Sequence, residues 1–302
     1  MMGRSFLRRN GELLVLALPA VVITFILSYL PLVGLILAFK DYNYSQGIFG
    51  SDWVGFENFR FFFESLSAWR ITRNTILYNG TFIVVGNAAA MAVAILLSLI
   101  RRKPARFYQI ILFVPFFLSW VVIGFIVFAF LNSRTGVVNT LLQSAGMETV
   151  SWYFTPAVWP GFSIFVHLWN MVGYISTIYF ARLSAIDPNL YEVAAIDGAT
   201  RGQQVFRITI PQLLPVGAML MLPSVGQIFY ADFGLFFFVP RDVGPLYPVT
   251  DVIDTFVFRA LRQRGDVGMA SAAGLYQSLV GFALVMFSNW VARRIDPDYA
   301  IF

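Results

Sequence analysis

The chain has 302 residues, of which 58% are hydrophobic, 17% aromatic and only 12% charged, with a formal net charge of +5. Soluble domains carry about 25% charged residues, so this sequence lacks the polar surface of a water-soluble globule, and its mean hydropathy of +0.72 places it among integral membrane proteins. The absence of cysteine excludes disulfides and thiolate chemistry. A single histidine, His167, excludes a His-rich metal cluster, and neither lysine, Lys40 or Lys103, follows a glycine as in a phosphate-binding loop. The arginines lie at the ends of apolar runs, a pattern that encodes membrane topology and not a nucleic-acid surface.

A charge-free apolar run of 18 or more residues can cross the ~30 Å hydrocarbon core as a helix. Six such runs follow one another at 13–39, 74–100, 107–133, 149–181, 208–231 and 267–292, and they predict an all-α integral membrane protein with six transmembrane helices in a single domain, 1–302. The fourth run has room for a surface segment around Thr155, Pro156, Trp159 and Pro160 before its helix. The first follows Arg4, Arg8 and Arg9 but is too long for a cleavable signal and lacks a small-residue cleavage site. It is expected to stay in the membrane as a helix.

Six crossings put both termini on one side. With the N-terminus inside, the inner segments hold Arg4, Arg8 and Arg9, the basic turn Arg101-Arg102-Lys103-Pro104-Ala105-Arg106, then Arg182, Arg201, Arg207, Arg293 and Arg294. An excess of arginine marks the cytoplasmic face, so both ends are expected in the cytoplasm. Three connections are long enough to fold: 40–73 outside, 182–207 inside and 232–266 outside. The first mixes Trp53, Phe56, Phe59, Phe61, Phe62 and Phe63 with Asp52, Glu57, Arg60 and Glu64. That mixture reads as a helix lying among lipid headgroups, or more sharply as an aromatic platform for a saccharide.

The inner connection has the clearest local signals. Asp187 suits an N-cap and Pro188 the first helical position, so a short helix is predicted from Pro188 to about Asp197, stopped by Gly198. Thr200 and Gln203 have capping-box spacing and start a second short helix that Pro211 limits. On the first helix Leu190, Val193, Ala194 and Asp197 share one side, and small Ala194 and Ala195 allow close approach of another surface. Helix signals alone leave two readings open, a docking peg and an ordinary connector.

Here the sequence resembles a known family. Glu192-Val193-Ala194, then Gly198, then Ile208, Ile210 and Pro211 have the spacing of the Glu-Ala-Ala loop of permease subunits in binding-protein-dependent ABC importers, with Val193 in place of the first alanine and Ile210 in place of a leucine. Further segments, among them Trp53-Val-Gly-Phe-Glu-Asn-Phe, Asn74-Thr, Gly136-Val-Val-Asn, Thr250-Asp-Val-Ile-Asp-Thr-Phe and Ser271-Ala-Ala-Gly-Leu-Tyr-Gln, are similar to the carbohydrate uptake class, and within it to oligo- and polysaccharide permeases of the alginate-importer and LplB-like type. The resemblance implies the type I permease fold of ABC importers in a bacterial cytoplasmic membrane. It also implies a second homologous permease, two ATPase subunits that bind ATP and Mg, and an extracytoplasmic solute-binding protein that delivers a saccharide. Glu192, Ala194 and Gly198 fall in the loop that seats in the ATPase. This chain itself is expected to be no enzyme and to hold no cofactor.

Polar groups inside spans face protein or water, not lipid. Span four offers His167, Trp169, Asn170 and Tyr174, with Asn170 about 18 Å from Arg182 at ~1.5 Å per residue; span five offers Ser224, Gln227 and Tyr230, with Asp232 near its outer end. These are candidates for the solute path, and helix–helix hydrogen bonding is the competing reading. An intramembrane enzyme lacks a catalytic constellation here. An ion- or proton-coupled carrier or channel would need ionisable groups inside the spans, and beyond His167 and Asp232 the spans offer none.

Overall fold

The structure, a computed structural model, describes residues 3–295. The chain divides into two compact units, one comprising residues up to Glu64 together with Arg259–Tyr276, the other Ser65–Phe258 together with the chain from Gln277. The helices used below are α1 (Gly3–Thr24), α2 (Leu66–Ser98), α3 (Arg102–Phe113), α4 (Trp120–Leu131), α5 (Val137–Ser144), α6 (Trp159–Leu183), α7 (Pro188–Ile196), α8 (Arg201–Gln204), α9 (Ile210–Gly226), α10 (Phe233–Phe238), α11 (Ile253–Arg259) and α12 (Val267–Ile295). The expected cytoplasmic placement of the two chain ends bears partly on residues 1–2 and 296–302, outside the described residues.

In the first unit, α1 passes through a wide turn at Phe25–Tyr29 into the tighter helix Leu30–Phe39. The connection that follows is helical over Glu57–Phe59 and Arg60–Glu64, within the aromatic and charged stretch expected to form a headgroup helix. It pairs Lys40 with Trp53 and Asp41 with Asp52 in a short antiparallel ladder, and Phe39 stacks on Trp53 and packs against Phe56 and Phe59. The buried Lys40 ammonium donates to the carbonyls of Phe49 and Ser51 at 2.8 and 3.0 Å, and Asn58 Nδ2 donates to Ala38 and Lys40 at 3.0 Å each. These side chains satisfy backbone carbonyls that the two-residue ladder leaves unpaired, and that holds the loop as a compact turn.

In the second unit, α2 starts earlier than the apolar run suggests because Ser65 caps it, its Oγ accepting from the Ser67 amide at 3.2 Å. The third run is not one straight helix: α3 and α4 meet at 99°, through the turn Val114–Phe117 and the proline at Pro115. The broken pair still crosses once. Phe82 stacks on His167, Asn87 meets Tyr179, and Ser98 and Leu183 flank one cleft, so α2 and α6 run in the same direction and the chain between them must return to the far side. The long apolar helices number five without this pair and six spans with it, among the described residues.

Asn170 explains how the break in the third span is tolerated. Its Nδ2 donates to the Pro115 carbonyl at 2.7 Å, adding a second donor to a group that the Leu118 amide already meets at 3.1 Å in the turn. The same face of α6 carries Gly173, where a Cβ would run into the Leu112 carbonyl, Tyr174, stacked on Phe116 at 4.4 Å, and Thr177, which accepts from Gln109 at 3.3 Å. Positions 170, 173, 174 and 177 form one helical stripe, and that stripe faces α3.

Replacing Asn170 with Ala removes one of the two donors on the Pro115 carbonyl and leaves the Leu118 amide at 3.1 Å, a loss of about 0.5–1.5 kcal/mol. The expected result is a lower free energy of unfolding of the detergent-solubilised chain by that amount, measured by titration with a denaturing detergent. A midpoint equal to the parent's would show that the break is held by something else.

Candidate functional site

Two features stand out: a cavity inside the second unit and a helical hairpin at the arginine-rich end of its spans. The cavity encloses 430 Å³. One wall is α2, through Asn79, Phe82, Ile83 and Asn87, and the second is α6, through His167, Met171 and Ile175. Each set recurs at three- to four-residue spacing and so lies on one helical face. The third wall is the end of α9 and the segment beyond it, through Ser224, Gln227, Tyr230 and Asp232.

That third wall exists because the fifth span unwinds. The apolar run extends to Ala231, but the helix ends at Gly226, after Pro223 removes one N–H from its last turn and Gly226 provides an approach to α12 so close that a Cβ would collide with Val285. The carbonyls released at 228–230 are met by side chains from neighbouring helices. Asn79 Nδ2 donates to Ile228 and Tyr230 at 2.8 and 3.0 Å, Gln277 Nε2 donates to Phe229 at 2.6 Å, and Asp254 Oδ2 accepts from the Ala231 amide at 2.7 Å. The Tyr230 hydroxyl meets Ser278 Oγ at 2.7 Å.

The residues expected on the solute path therefore divide. His167, Gln227, Tyr230 and Asp232 come together around the cavity. Asn170 and Tyr174 lie on the α3-facing stripe, and Trp169 is 41% exposed and does not line the cavity. Depth along α6 suggested Asn170; its rotation about the helix axis puts it on a different side from His167. Phe82, Asn79 and Asn87 were not expected there, although two asparagines eight residues apart in an apolar run share a helix face and signal a polar wall.

Asp232 caps α10, accepting from the Leu235 amide at 3.2 Å. Burial pushes its carboxyl up from the ordinary carboxylate range, against hydrogen bonds from the Leu235 and Gly234 amides and the Trp120 side chain. Burial likewise raises Asp254, against bonds from the Ala231 amide and Gln277, with the charge of Asp232 adding to the rise.

The hairpin follows α6 directly. Asp187 caps α7, its side chain accepting from the Asn189 amide at 3.0 Å, with Pro188 in the first turn. At the other end Gly198 sits at φ +79°, the Gly198 amide donates to Ala195 at 3.1 Å and the Ala199 amide to Ala194 at 2.9 Å; these two bonds close the helix as a Schellman motif. Thr200 and Gln203 form the reciprocal capping box at the start of α8. Pro211 does not end this second helix: the wide turn Val205–Thr209, closed by the Ile210 amide on the Val205 carbonyl, carries it into α9. Adding one residue to the turn ahead of Pro211 makes room for its ring and for the carbonyl it cannot satisfy.

The hairpin is braced from within. Tyr191 Oη and Thr209 Oγ1 lie 3.0 Å apart, and Arg182 Nη2 donates to Gln212 Oε1 at 3.0 Å, joining the ends of α6 and α9. Leu190, Val193 and Ile196 are 44, 57 and 85% exposed, an apolar stripe on a helix outside the spans; Glu192 and Asp197 are exposed beside it, while Ala194 is half-buried. Ile208 is half-buried and Pro211 exposed. Ile196 was legible from its spacing to Val193, but Tyr191 and Thr209 were not, since their contact spans 18 residues.

Comparison with known proteins places these features in a family. Residues 86–298 match the family described as binding-protein-dependent transport system inner membrane component. The chain is 29% identical to Protein LplB of Bacillus subtilis (strain 168), covering 97% of this chain and 92% of the relative. It is 28% identical to the polygalacturonan/rhamnogalacturonan transport system permease protein YteP of the same organism, covering 95% and 89%. Among solved structures it superposes with a TM-score of 0.88 and 30% identity, over 98% of both chains, on a chain of a bacterial alginate ABC transporter in complex with an alginate pentasaccharide-bound periplasmic protein.

The turn at Gly198 gives a direct test of the hairpin. Valine there would hold a β-branched side chain at φ +79°, at a cost of roughly 1–2 kcal/mol. Hydrogen exchange at the Ala199 amide is expected to accelerate about tenfold in Gly198→Val, with exchange in α6 unchanged. Equal rates at Ala199 in variant and parent would mean that the turn accepts a side chain without opening.

Proposed function

The chain belongs to the family of binding-protein-dependent transport system inner membrane components, and on that premise we propose that it forms one wall of the path by which an oligo- or polysaccharide enters the cell. A second, homologous permease completes the path. Two ATPase subunits, with ATP and Mg, dock on the hairpin, and an extracytoplasmic binding protein delivers the saccharide at the opposite end. The hairpin side, which carries Arg101–Arg106, Arg182, Arg201 and Arg207, is the cytoplasmic side, and both termini lie there. The membrane is the bacterial inner membrane.

The observation that carries this reading is the exposed apolar stripe Leu190, Val193 and Ile196 on a helix closed at both ends by caps and outside every span. A lone surface helix gains nothing from exposing three large aliphatic side chains to water, whereas a docking surface does. Glu192 beside the stripe supplies charge complementarity and register. The chain lacks a phosphate-binding loop, so the energy for transport enters through that surface from a nucleotide-hydrolysing partner. The 430 Å³ cavity offers hydroxyl, carboxamide and aromatic groups, which suit a sugar's hydroxyls and C–H faces. Names of relatives support the substrate class: a polygalacturonan/rhamnogalacturonan permease and an alginate transporter.

Orientation is tested with single cysteines, which the cysteine-free chain makes simple. Gln203→Cys in intact cells is expected to react only with membrane-permeant reagents; labelling by an impermeant reagent from outside would invert the topology. Docking is tested by Glu192→Lys in the reconstituted transporter. Saccharide uptake is expected to fall on the order of tenfold while the chain remains inserted and paired with the second permease. Uptake at the parental rate would make the hairpin a connector and no more.

A further inference from the structure

The cavity wall carries information on the charge of its cargo. Its polar lining includes Asn87, His167, Ser224, Gln227, Tyr230 and Asp232, and among the described residues no arginine or lysine lines it. A second carboxyl, Asp254, stands directly behind the wall, bonded to the amide of Ala231 at 2.7 Å, and Ala231 itself lines the cavity. Both carboxyls are met by N–H donors of the backbone, Trp120 and Gln277, groups that carry no net charge. The aromatic part of the wall is a slab, Phe82 stacked on His167 with ring centroids 3.7 Å apart and planes 9° from parallel.

From this chemistry, and resting on the reading of the cavity as part of the solute path, we propose that this chain's wall selects a neutral saccharide against polyuronates, with Asp232 as the specificity-determining residue. A neutral sugar exchanges water for carboxamide, phenol, hydroxyl and carboxyl partners and lays a C–H face on the Phe82–His167 slab. A uronate carboxylate in the same place meets Asp232 and finds no cation. When Asp232 is ionised the two repel, and when it is protonated it donates a single hydrogen bond that a sugar hydroxyl accepts as readily. The wall is thus unlike what the polyanionic substrates named for two of the relatives, alginate and polygalacturonan, would require.

The test reads the charge of the cavity directly in the assembled transporter, so that any charge contributed by the second permease is included. Gln227→Cys places the chain's single thiol on the wall. Its rates of modification by two thiosulfonates of similar size, one bearing a sulfonate and one a trimethylammonium group, are each divided by the rate for a free thiol. The cationic reagent is expected to be favoured by about tenfold or more, and Asp232→Asn, which keeps the oxygen that caps α10, is expected to bring the ratio most of the way to one. A ratio of one, a preference for the anionic reagent, or a preference that Asp232→Asn leaves unchanged would overturn the proposal. Failure of the path itself is read separately: attaching a bulky neutral maleimide to Gln227→Cys is expected to block uptake, and uptake that continues after complete modification would place the cavity off the path whatever its charge.

Discussion

A backbone carbonyl without a donor is costly in a bilayer, because no water is present to replace the lost partner, and the shape of this protein depends on how that cost is removed where its spans break. In each case a carboxamide from a neighbouring segment does it. At the bend of the third span Asn170 reinforces the Pro115 carbonyl, which the turn itself bonds only through the Leu118 amide. Asn79 and Gln277 cover three successive carbonyls where the fifth span unwinds. Asn74 reaches Pro248 and Asp251 in the connection before α11, and in the other unit Asn58 does the same for Ala38 and Lys40. An amide is suited to this because it brings two donors without a charge to desolvate. A lysine or arginine in those positions would need an anion as well. The cavity exists only because the fifth span is allowed to stop being a helix at Gly226.

These carboxamides also mark the boundary between what could be read along the chain and what could not. The hairpin was legible almost residue by residue, since caps, capping boxes and a left-handed stop depend on neighbours within four positions: Asp187, Pro188, Gly198, Thr200 and Gln203 all act where their spacing put them. The membrane class and the positions of the long apolar helices were legible from composition. The bend in the third span was not, because 107–133 is apolar throughout and hydropathy does not register a change of direction; only Pro115 hinted at it. The side of α6 that faces the cavity was not legible either. Counting residues gives depth and leaves rotation undetermined, so Asn170 and His167, three residues apart, were treated alike although one faces α3 and the other the cavity. In the aromatic connection after Phe39, composition pointed to the helical stretch over 57–64, whereas the fold of the chain before it was not legible, because the contacts of Lys40 and Asn58 that hold it reach across 9 to 21 residues.

Apolar exposure has different meanings in different parts of this chain. Leu16, Phe282 and Phe287 are exposed on helices long and apolar enough to cross a bilayer, where an apolar surface matches the surrounding solvent. Leu190, Val193 and Ile196 have comparable exposure on a nine-residue helix that no lipid core encloses. The same side chains therefore signify solvent matching in one place and an unfilled interface in the other, and it is the helix caps, which fix where α7 starts and stops, that separate the two cases.

The hairpin and the cavity are joined by two helices of similar length and different stiffness. From Ser184 back to His167 along α6, and from Thr209 forward to Gln227 along α9, the distance is about 25 Å at 1.5 Å per residue. No proline interrupts α6 between those points, whereas α9 contains Pro215 and Pro223 and is entered through a wide turn. At their hairpin ends the two are tied by Arg182 with Gln212 and by Tyr191 with Thr209. The two helices are thus tied at the hairpin end, and they differ in that Pro215 and Pro223 each remove a backbone N–H from α9 while α6 keeps all of its own over this stretch. Both reach the same cavity, α6 with His167 and the chain beyond α9 with Gln227 and Tyr230. There the Asn79 and Gln277 bonds hold the unwound segment in place of the helical bonds it has given up.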